Sequence, residues 1–189
     1  MNLTNNNTLG LIPPHGGYRT LASYQNAEIV YDATVAFCKR YKSYMTYKTY
    51  EQMIGAARSG KQNIAEGSQM SGTSKKSELK LVGVARASLE ELLIDYHDFL
   101  SEYSLHLWEQ HDPKILDIRK LVYTSPKSYK TYEPLIKESP ESGANALITL
   151  IRQTCFLLDR QLAALEKAFL QDGGFTERLY RERRKFRER

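Results

Sequence analysis

Apolar residues recur at spacings of three and four in four segments of this chain, as in helices that bury one face. The clearest series is Val82, Ala85, Leu89, Leu92, Tyr96 and Phe99. The pattern predicts helices over residues 20–41, 49–69, 75–105 and 144–170. We therefore predict an all-α chain in which these helices pack as an antiparallel four-helix bundle.

The predicted second helix is unusual because its apolar seam is built mostly from small residues. Met53, Ala57, Gly60, Ile64 and Gly67 form this seam. A glycine inside a helix costs about 1 kcal/mol relative to alanine. Close packing of a neighbouring helix is the expected compensation.

The same helix contains a sequence that imitates a phosphate-binding loop. Residues 55–61 fit G-x-x-x-x-G-K, but Gln62 stands where Ser or Thr must hold magnesium. No apolar strand precedes the sequence, and the helical period runs through it. No nucleotide-binding loop is predicted here.

The rest of the chain divides into three segments. They are a flexible N-terminal arm (1–19), a short helical insertion between helices three and four (106–143), and a basic C-terminal tail (173–189). The bundle with its insertion spans residues 20–172. Short helices are predicted at 113–123 and 129–138, and Pro140 is expected to act as a helix breaker.

A resemblance appears in the second and third helices. Asn63-Ile-Ala-Glu66-Gly67, followed by Ser88 and Glu91, resembles the four-helix-bundle family of rRNA intervening-sequence proteins, which includes the accessory variability determinant of retroelements. The ending looks like variants described as carrying a four-helix-bundle suffix. The resemblance implies a homo-oligomer, specifically a pentamer, and allows a reverse transcriptase as partner.

Asn63 and Glu66 lie one turn apart among small residues. They either satisfy each other or a neighbouring backbone at a helix interface, or they form a functional site.

Charge is concentrated at the C-terminus. The chain has 27 Lys and Arg against 22 Asp and Glu, a net charge of +5. Residues 176–189 hold seven basic and three acidic side chains, so the tail carries +4 of that excess. A basic tail of this kind favours a phosphate-bearing partner.

Basic side chains are the candidate contacts to nucleic acid. They are Lys39, Arg40, Lys42, Arg58, Lys61, Lys75, Lys76, Arg178, Arg181, Arg183, Arg184 and Lys185. The alternative for the first three is stabilisation of a helix C-terminus, and for the tail a solvated end. Tyr41, Tyr44, Tyr47 and Tyr50 either stack bases or join two helices.

No catalytic constellation is present, and we predict a non-enzymatic protein without cofactor or metal. Cys38 and Cys155 are expected to be buried free thiols. The sequence has no membrane-length apolar run and no evident signal peptide, which favours a cytoplasmic protein.

Two functions remain open at this point. The first is an accessory protein that binds the RNA or DNA backbone as a homo-oligomer. The alternative is a protein-interaction scaffold, for example for a reverse transcriptase, without direct nucleic-acid binding.

Overall fold

The computed structural model describes residue 12 and residues 14–188. Its helices are α1 (Ala22–Arg40), α2 (Tyr47–Met70), α3 (Lys75–Glu102), α4 (Pro113–Leu121), α5 (Glu133–Glu138), α6 (Pro140–Asp172) and α7 (Phe175–Arg187). Single 3-10 turns lie at Tyr18–Thr20, Lys42–Tyr44 and Tyr129–Thr131. The described residues contain no strand, so the all-α prediction is confirmed.

The four long helices form the core through pairwise contacts. α1 packs against α2 and α6, and α3 packs against the same two helices. The apolar series predicted for α3 is buried throughout. Phe37 of α1 meets Tyr96 and Phe99 of α3 with ring centroids 5.2 Å apart in both cases. The Tyr96 hydroxyl donates to Thr34 Oγ1 at 3.1 Å, which satisfies two buried polar groups.

The contact between α2 and α3 depends on two glycines. A Cβ at Gly60 would lie 2.7 Å from Leu89 Cδ2, and one at Gly67 would lie 3.4 Å from Leu81 Cβ. Gly60 and Gly67 are buried, as the predicted seam requires. Gly55 differs, because it is exposed and a Cβ there would meet nothing within 4 Å.

The predicted start of the fourth long helix is wrong. Pro140 begins α6 rather than breaking a helix, so the insertion ends at Ser139. Ser139 Oγ accepts from the Ser142 backbone N–H at 3.0 Å and caps the helix. Proline fits this first position because its missing N–H would have no partner there.

The insertion docks on the first turns of α6. The Trp108 backbone N–H donates to Asn145 Oδ1, and its indole N–H donates to Glu141 Oε1, both at 2.9 Å. α4 and α5 also contact α6. As a result, every residue from Ser142 to Ile151 is buried.

The predicted N-terminal arm is described only at its end, because residues 1–11 and 13 lie outside the described part. The Gly16 N–H donates to Ser68 O at the end of α2, at 3.0 Å. The rings of Tyr18 and Tyr24 meet edge to face at 4.7 Å. This end of the arm is therefore joined to α1 and α2.

The glycine contact yields a matched pair of substitutions. Gly55→Ala should stabilise the protein by about 1 kcal/mol, because alanine improves an exposed helical position. Gly60→Ala gains the same propensity but pushes against the buried Leu89, which costs about 1–3 kcal/mol. Denaturant unfolding should place the Gly60 variant about 2 kcal/mol below the Gly55 variant. Equal stabilities would refute the close contact.

A partly buried carboxyl on α3 yields a pH prediction. Burial, followed by the charges of Glu91 and Asp98, raises the pKa of Asp95 to about 6. Its Oδ2 is buried and has no hydrogen-bond partner in the described part. The unfolded chain ionises near 3.8 and the folded one near 6, so this group's contribution to stability falls as pH rises between those values and is constant above them.

Asp95→Asn removes the ionisation. Above pH 6 it should raise the free energy of unfolding by on the order of 1 kcal/mol, the partial exposure screening the rest. The gain should disappear toward pH 4. Thermal melts across this pH range measure the gain in stability, with the exposed Glu102→Gln as control. A gain that persists unchanged in acid would contradict the raised pKa of Asp95.

Candidate nucleic-acid interface

The predicted cations fall into three separate groups. Lys39, Arg40 and Lys42 lie at the C-terminal end of α1, where Arg40 Nη2 donates to Lys137 O at 2.9 Å. Arg58 and Lys61 lie along α2. The remaining cations lie on α7 and at the start of α3, as described below. The sequence alone does not show that these three groups of cations lie in different parts of the fold.

The tyrosines beside the first group mainly pack between helices. Tyr41 is buried and its hydroxyl donates to Ile136 O at 2.6 Å. Tyr44 packs edge to face on Tyr41 and on Tyr103. Tyr47 is largely exposed. Packing therefore accounts for Tyr41 and Tyr44, and Tyr47 is left as a free ring on the surface.

The two cations of α2 have different surroundings. Arg58 is exposed. Lys61 Nζ lies 4.0 Å above the Tyr31 ring of α1, and its charge acts on Asp32. Lys61 is thus engaged between two helices, whereas Arg58 faces solvent.

The third group surrounds a cleft of about 320 Å³ between the α2–α3 turn, the end of α6 and the start of α7. Lys75, Arg178 and Arg181 line it. Lys75 pairs with Glu78 at 3.0 Å, Arg178 Nη2 donates to Gly72 O at 3.3 Å, and Arg181 Nη2 donates to Asp172 O at 3.2 Å. Lys76 is exposed nearby in sequence. The two arginine bonds connect α7 to the α2–α3 turn and to the end of α6.

The tail forms a basic helix with little burial. Gly173 ends α6 with φ of 71°, and Glu177 accepts from the Gly174 N–H at 2.7 Å to cap α7. No residue of α7 is buried. Phe186 is 80% exposed, so it does not dock the helix.

One face of α7 combines cations with an aromatic ring. Tyr180, Arg183, Arg184 and Arg187 recur at helical spacing and are exposed. Arg184 and Lys185 pair with Glu188 and Glu182, each at 2.8 Å. Such surface pairs are weak and leave the cations available.

The residues that carry the family resemblance fall into two sets, one in the α2–α3 interface and one on the surface. Asn63 Nδ2 donates to Ser59 O at 2.9 Å and to Ser59 Oγ at 3.1 Å, while Ser59 Oγ lies 2.9 Å from Ser88 Oγ. With Gly67, these groups form the α2–α3 interface. Of the alternatives considered for Asn63 and Glu66, mutual pairing is not found, and Asn63 bonds a neighbouring backbone carbonyl instead. Glu66 and Glu91 are exposed.

The two cysteines lie in the core. Cys38 and Cys155 are buried free thiols, as predicted. Burial raises the pKa of Cys38 to about 12 and that of Cys155 to about 11. Among the described residues no group of His, Cys, Asp and Glu is arranged to hold a metal ion.

A second cationic region was missed by the sequence analysis. A cavity of about 590 Å³ lies between α1, α4 and α6. Its lining includes Arg119, Lys127, Arg152 and Arg160. These residues come from the insertion and from α6, so no local cluster of charge marks them in the sequence. Only the docking of the insertion brings them together.

Comparisons with protein-family models, with curated proteins and with solved structures give no match to this chain. Within the described part, no helix has the length and apolar character needed to cross a membrane.

Proposed function

We propose that this protein is a non-enzymatic accessory protein that binds the backbone of RNA or DNA. The exposed face of α7 carries the proposal. Arginines at 183, 184 and 187 supply charges for phosphates, and Tyr180, 69% exposed, supplies a ring on which a base can stack. Contacts of this kind position a protein on nucleic acid without reading its sequence.

The architecture proposed for this activity is a homo-oligomer. α1, α2, α3 and α6 would form an antiparallel four-helix bundle, and the resemblance in α2 and α3 implies five copies. Exposed apolar side chains support self-association. Ile94 of α3 is 54% exposed and Phe156 of α6 is 61% exposed.

The same apolar side chains favour a second candidate function. Two side-chain pairs join α3 to α6. Arg86 Nε lies 3.0 Å from Asp159 Oδ1, and Arg152 Nη2 lies 3.2 Å from His97 Nε2. Ile94 and Phe156 lie on these two helices. Under this alternative the protein is an interaction scaffold, for example for a reverse transcriptase, and binds no nucleic acid itself.

The α7 face can be tested by neutralising two of its cations. Arg183→Gln with Arg187→Gln should weaken duplex DNA binding and flatten the slope of log affinity against log salt by about 1.8, because each phosphate that a cation neutralises contributes about 0.9 to that slope. The melting temperature should stay the same, because no α7 residue is buried. Fluorescence anisotropy at several salt concentrations measures the slope.

A matched control replaces two exposed lysines elsewhere, Lys80→Gln with Lys167→Gln. It changes the net charge equally and should alter the slope much less. Equal slopes for the two double variants would locate binding outside α7. Undetectable binding by the unsubstituted protein at low salt would favour the scaffold.

Self-association can be tested by light scattering at micromolar concentration. We expect a mass near five times the 21.7 kDa of one chain. If the exposed apolar side chains form the interface, Ile94→Lys should lower the mass while circular dichroism stays unchanged. A concentration-independent mass of a single chain would contradict the oligomer.

A further inference from the structure

The cavity between α1, α4 and α6 has the size and walls of a small-molecule site. Its volume of about 590 Å³ falls within the range of about 300–1,000 Å³ typical of such sites. Ile115, Val122 and Ile148 provide apolar walls, and Trp108 lines the same space. An aromatic body of moderate size fits these surroundings.

Two residues of the cavity lining, Asn26 and Gln153, carry amide oxygens that have no hydrogen-bond partner and are shielded from the cavity space itself. Asn26 is 1% exposed, and its Oδ1 is unpartnered. Gln153 Oε1 is also buried without a partner, although its Nε2 donates to Arg119 O at 3.0 Å. An unsatisfied buried polar group costs about 1–3 kcal/mol. A ligand with N–H donors would remove that cost.

Asn145 shows that not every buried amide in the cavity lining lacks a hydrogen-bond partner. It lines the same cavity, but its Oδ1 accepts from the Trp108 N–H and its Nδ2 donates to His106 O at 2.8 Å. The insertion therefore satisfies one buried amide of the cavity and leaves Asn26 open.

The charge around the cavity is of one sign. Four cations line it, and none of its lining residues in the described part is Asp or Glu. Arg152 Nη2 lies 3.2 Å from His97 Nε2, and Arg160 lies 6.0 Å from the Phe156 ring centroid. Lys127, Arg152 and Arg160 are exposed and Arg119 is half-buried, so an anionic group on the ligand would meet these side chains where the cavity opens to solvent.

From the unpartnered oxygens, the apolar walls and the uncompensated cations, we infer that this cavity binds a nucleoside monophosphate unit. The base lies inside and gives N–H donors to the amides of Asn26 and Gln153 once these side chains rotate toward it, and the phosphate lies on the arginines. Tyr123 and Phe156, both exposed and in the lining, offer rings for stacking. This inference deepens the proposed nucleic-acid binding and rests on it. The unit comes from a free mononucleotide or from an unstacked residue of a single strand.

Trp108 provides a direct reporter, because it is the single tryptophan of the chain and lines the cavity. The full-length protein is titrated with AMP, GMP, CMP and UMP, and its tryptophan fluorescence is followed. Each should give a saturable change, with ribose 5-phosphate at least about tenfold weaker because it lacks the stacking base. UMP should bind about fivefold more weakly than the amino-bearing nucleotides, since its base offers one N–H and theirs offer two or more. No saturable response to any of the four would overturn the inference.

Two substitutions separate binding from structure. Asn26→Leu should weaken AMP binding about tenfold, and should leave the melting temperature unchanged or raise it, because it removes an unsatisfied amide. Arg152→Gln should weaken AMP binding but leave adenosine binding intact. Lys80→Gln, an exposed change on α3, is the control. A lower melting temperature for Asn26→Leu with unchanged AMP affinity would assign Asn26 a structural role and overturn the inference.

The same tryptophan fluorescence identifies the source of the nucleotide and tests the two proposals separately. A single-stranded oligonucleotide that binds more tightly than the matching mononucleotide identifies a strand as the source, and the reverse order identifies free nucleotide. The Arg183 and Arg187 double variant should keep the response to AMP. If duplex binding is absent but AMP still changes the fluorescence, the α7 proposal fails and the cavity assignment stands. If duplex DNA binds but neither AMP nor the oligonucleotide changes the fluorescence, the cavity assignment fails and the α7 proposal stands.

Discussion

The close contact between α2 and α3 at Gly60 is the constraint on which the rest of the structure depends. Leu89 occupies the space that any side chain at residue 60 would need, so the two backbones approach closely and gain dispersion contacts along their length. This approach also allows Ser59 and Ser88 to bond across the interface. With one face of α3 held against α2, other α3 residues pack on α6, and Tyr96 and Phe99 reach the Phe37 ring. The aromatic core is thus a consequence of small residues elsewhere.

The second organising feature is the burial of the first part of α6 on all sides. A helix in contact only with α1 and α3 would expose one face, but α4 and α5 cover it. Its polar side chains are satisfied within this covering. Thr149 Oγ1 donates to Asn145 O and Thr154 Oγ1 donates to Leu150 O, both at 2.8 Å. Gln153 Oε1 on α6 and Asn26 Oδ1 on the neighbouring α1 are exceptions. A buried amide left unsatisfied beside well-satisfied ones is typical of a site that gives up stability for binding.

The distribution of cations gives the two basic regions different physical roles. Those on α7 are exposed, so their attraction for phosphates acts at a distance and is screened by salt. Those around the cavity lie next to apolar walls, although Lys127, Arg152 and Arg160 are exposed. An anion bound there would still be screened by salt, but the walls would restrict its orientation. Under the two proposals above, α7 holds a nucleic-acid backbone loosely on the surface and the cavity takes a single nucleotide unit. The two thiols are buried with raised pKa values, so they offer no nucleophile to either region.

The sequence by itself determined the helices and their buried faces, because helical periodicity is local and the seam residues of α2 and α3 follow it at every turn. It also marked residues 173–189 as a basic tail distinct from the four long helices. It misplaced the start of α6, since Pro140 can either break or begin a helix and the choice depends on the cap that Ser139 provides. Only the tertiary structure decided how the insertion docks, which candidate cations lie together, and that Glu66 faces solvent while Asn63 bonds within α2. The last of these depends on which face of α2 packs against α3. The first two depend on contacts between residues far apart in the chain, and neither residue type nor spacing records such contacts. The cavity was beyond the sequence for the same reason, because Asn26, Arg119 and Arg152 share one space only after the chain has folded.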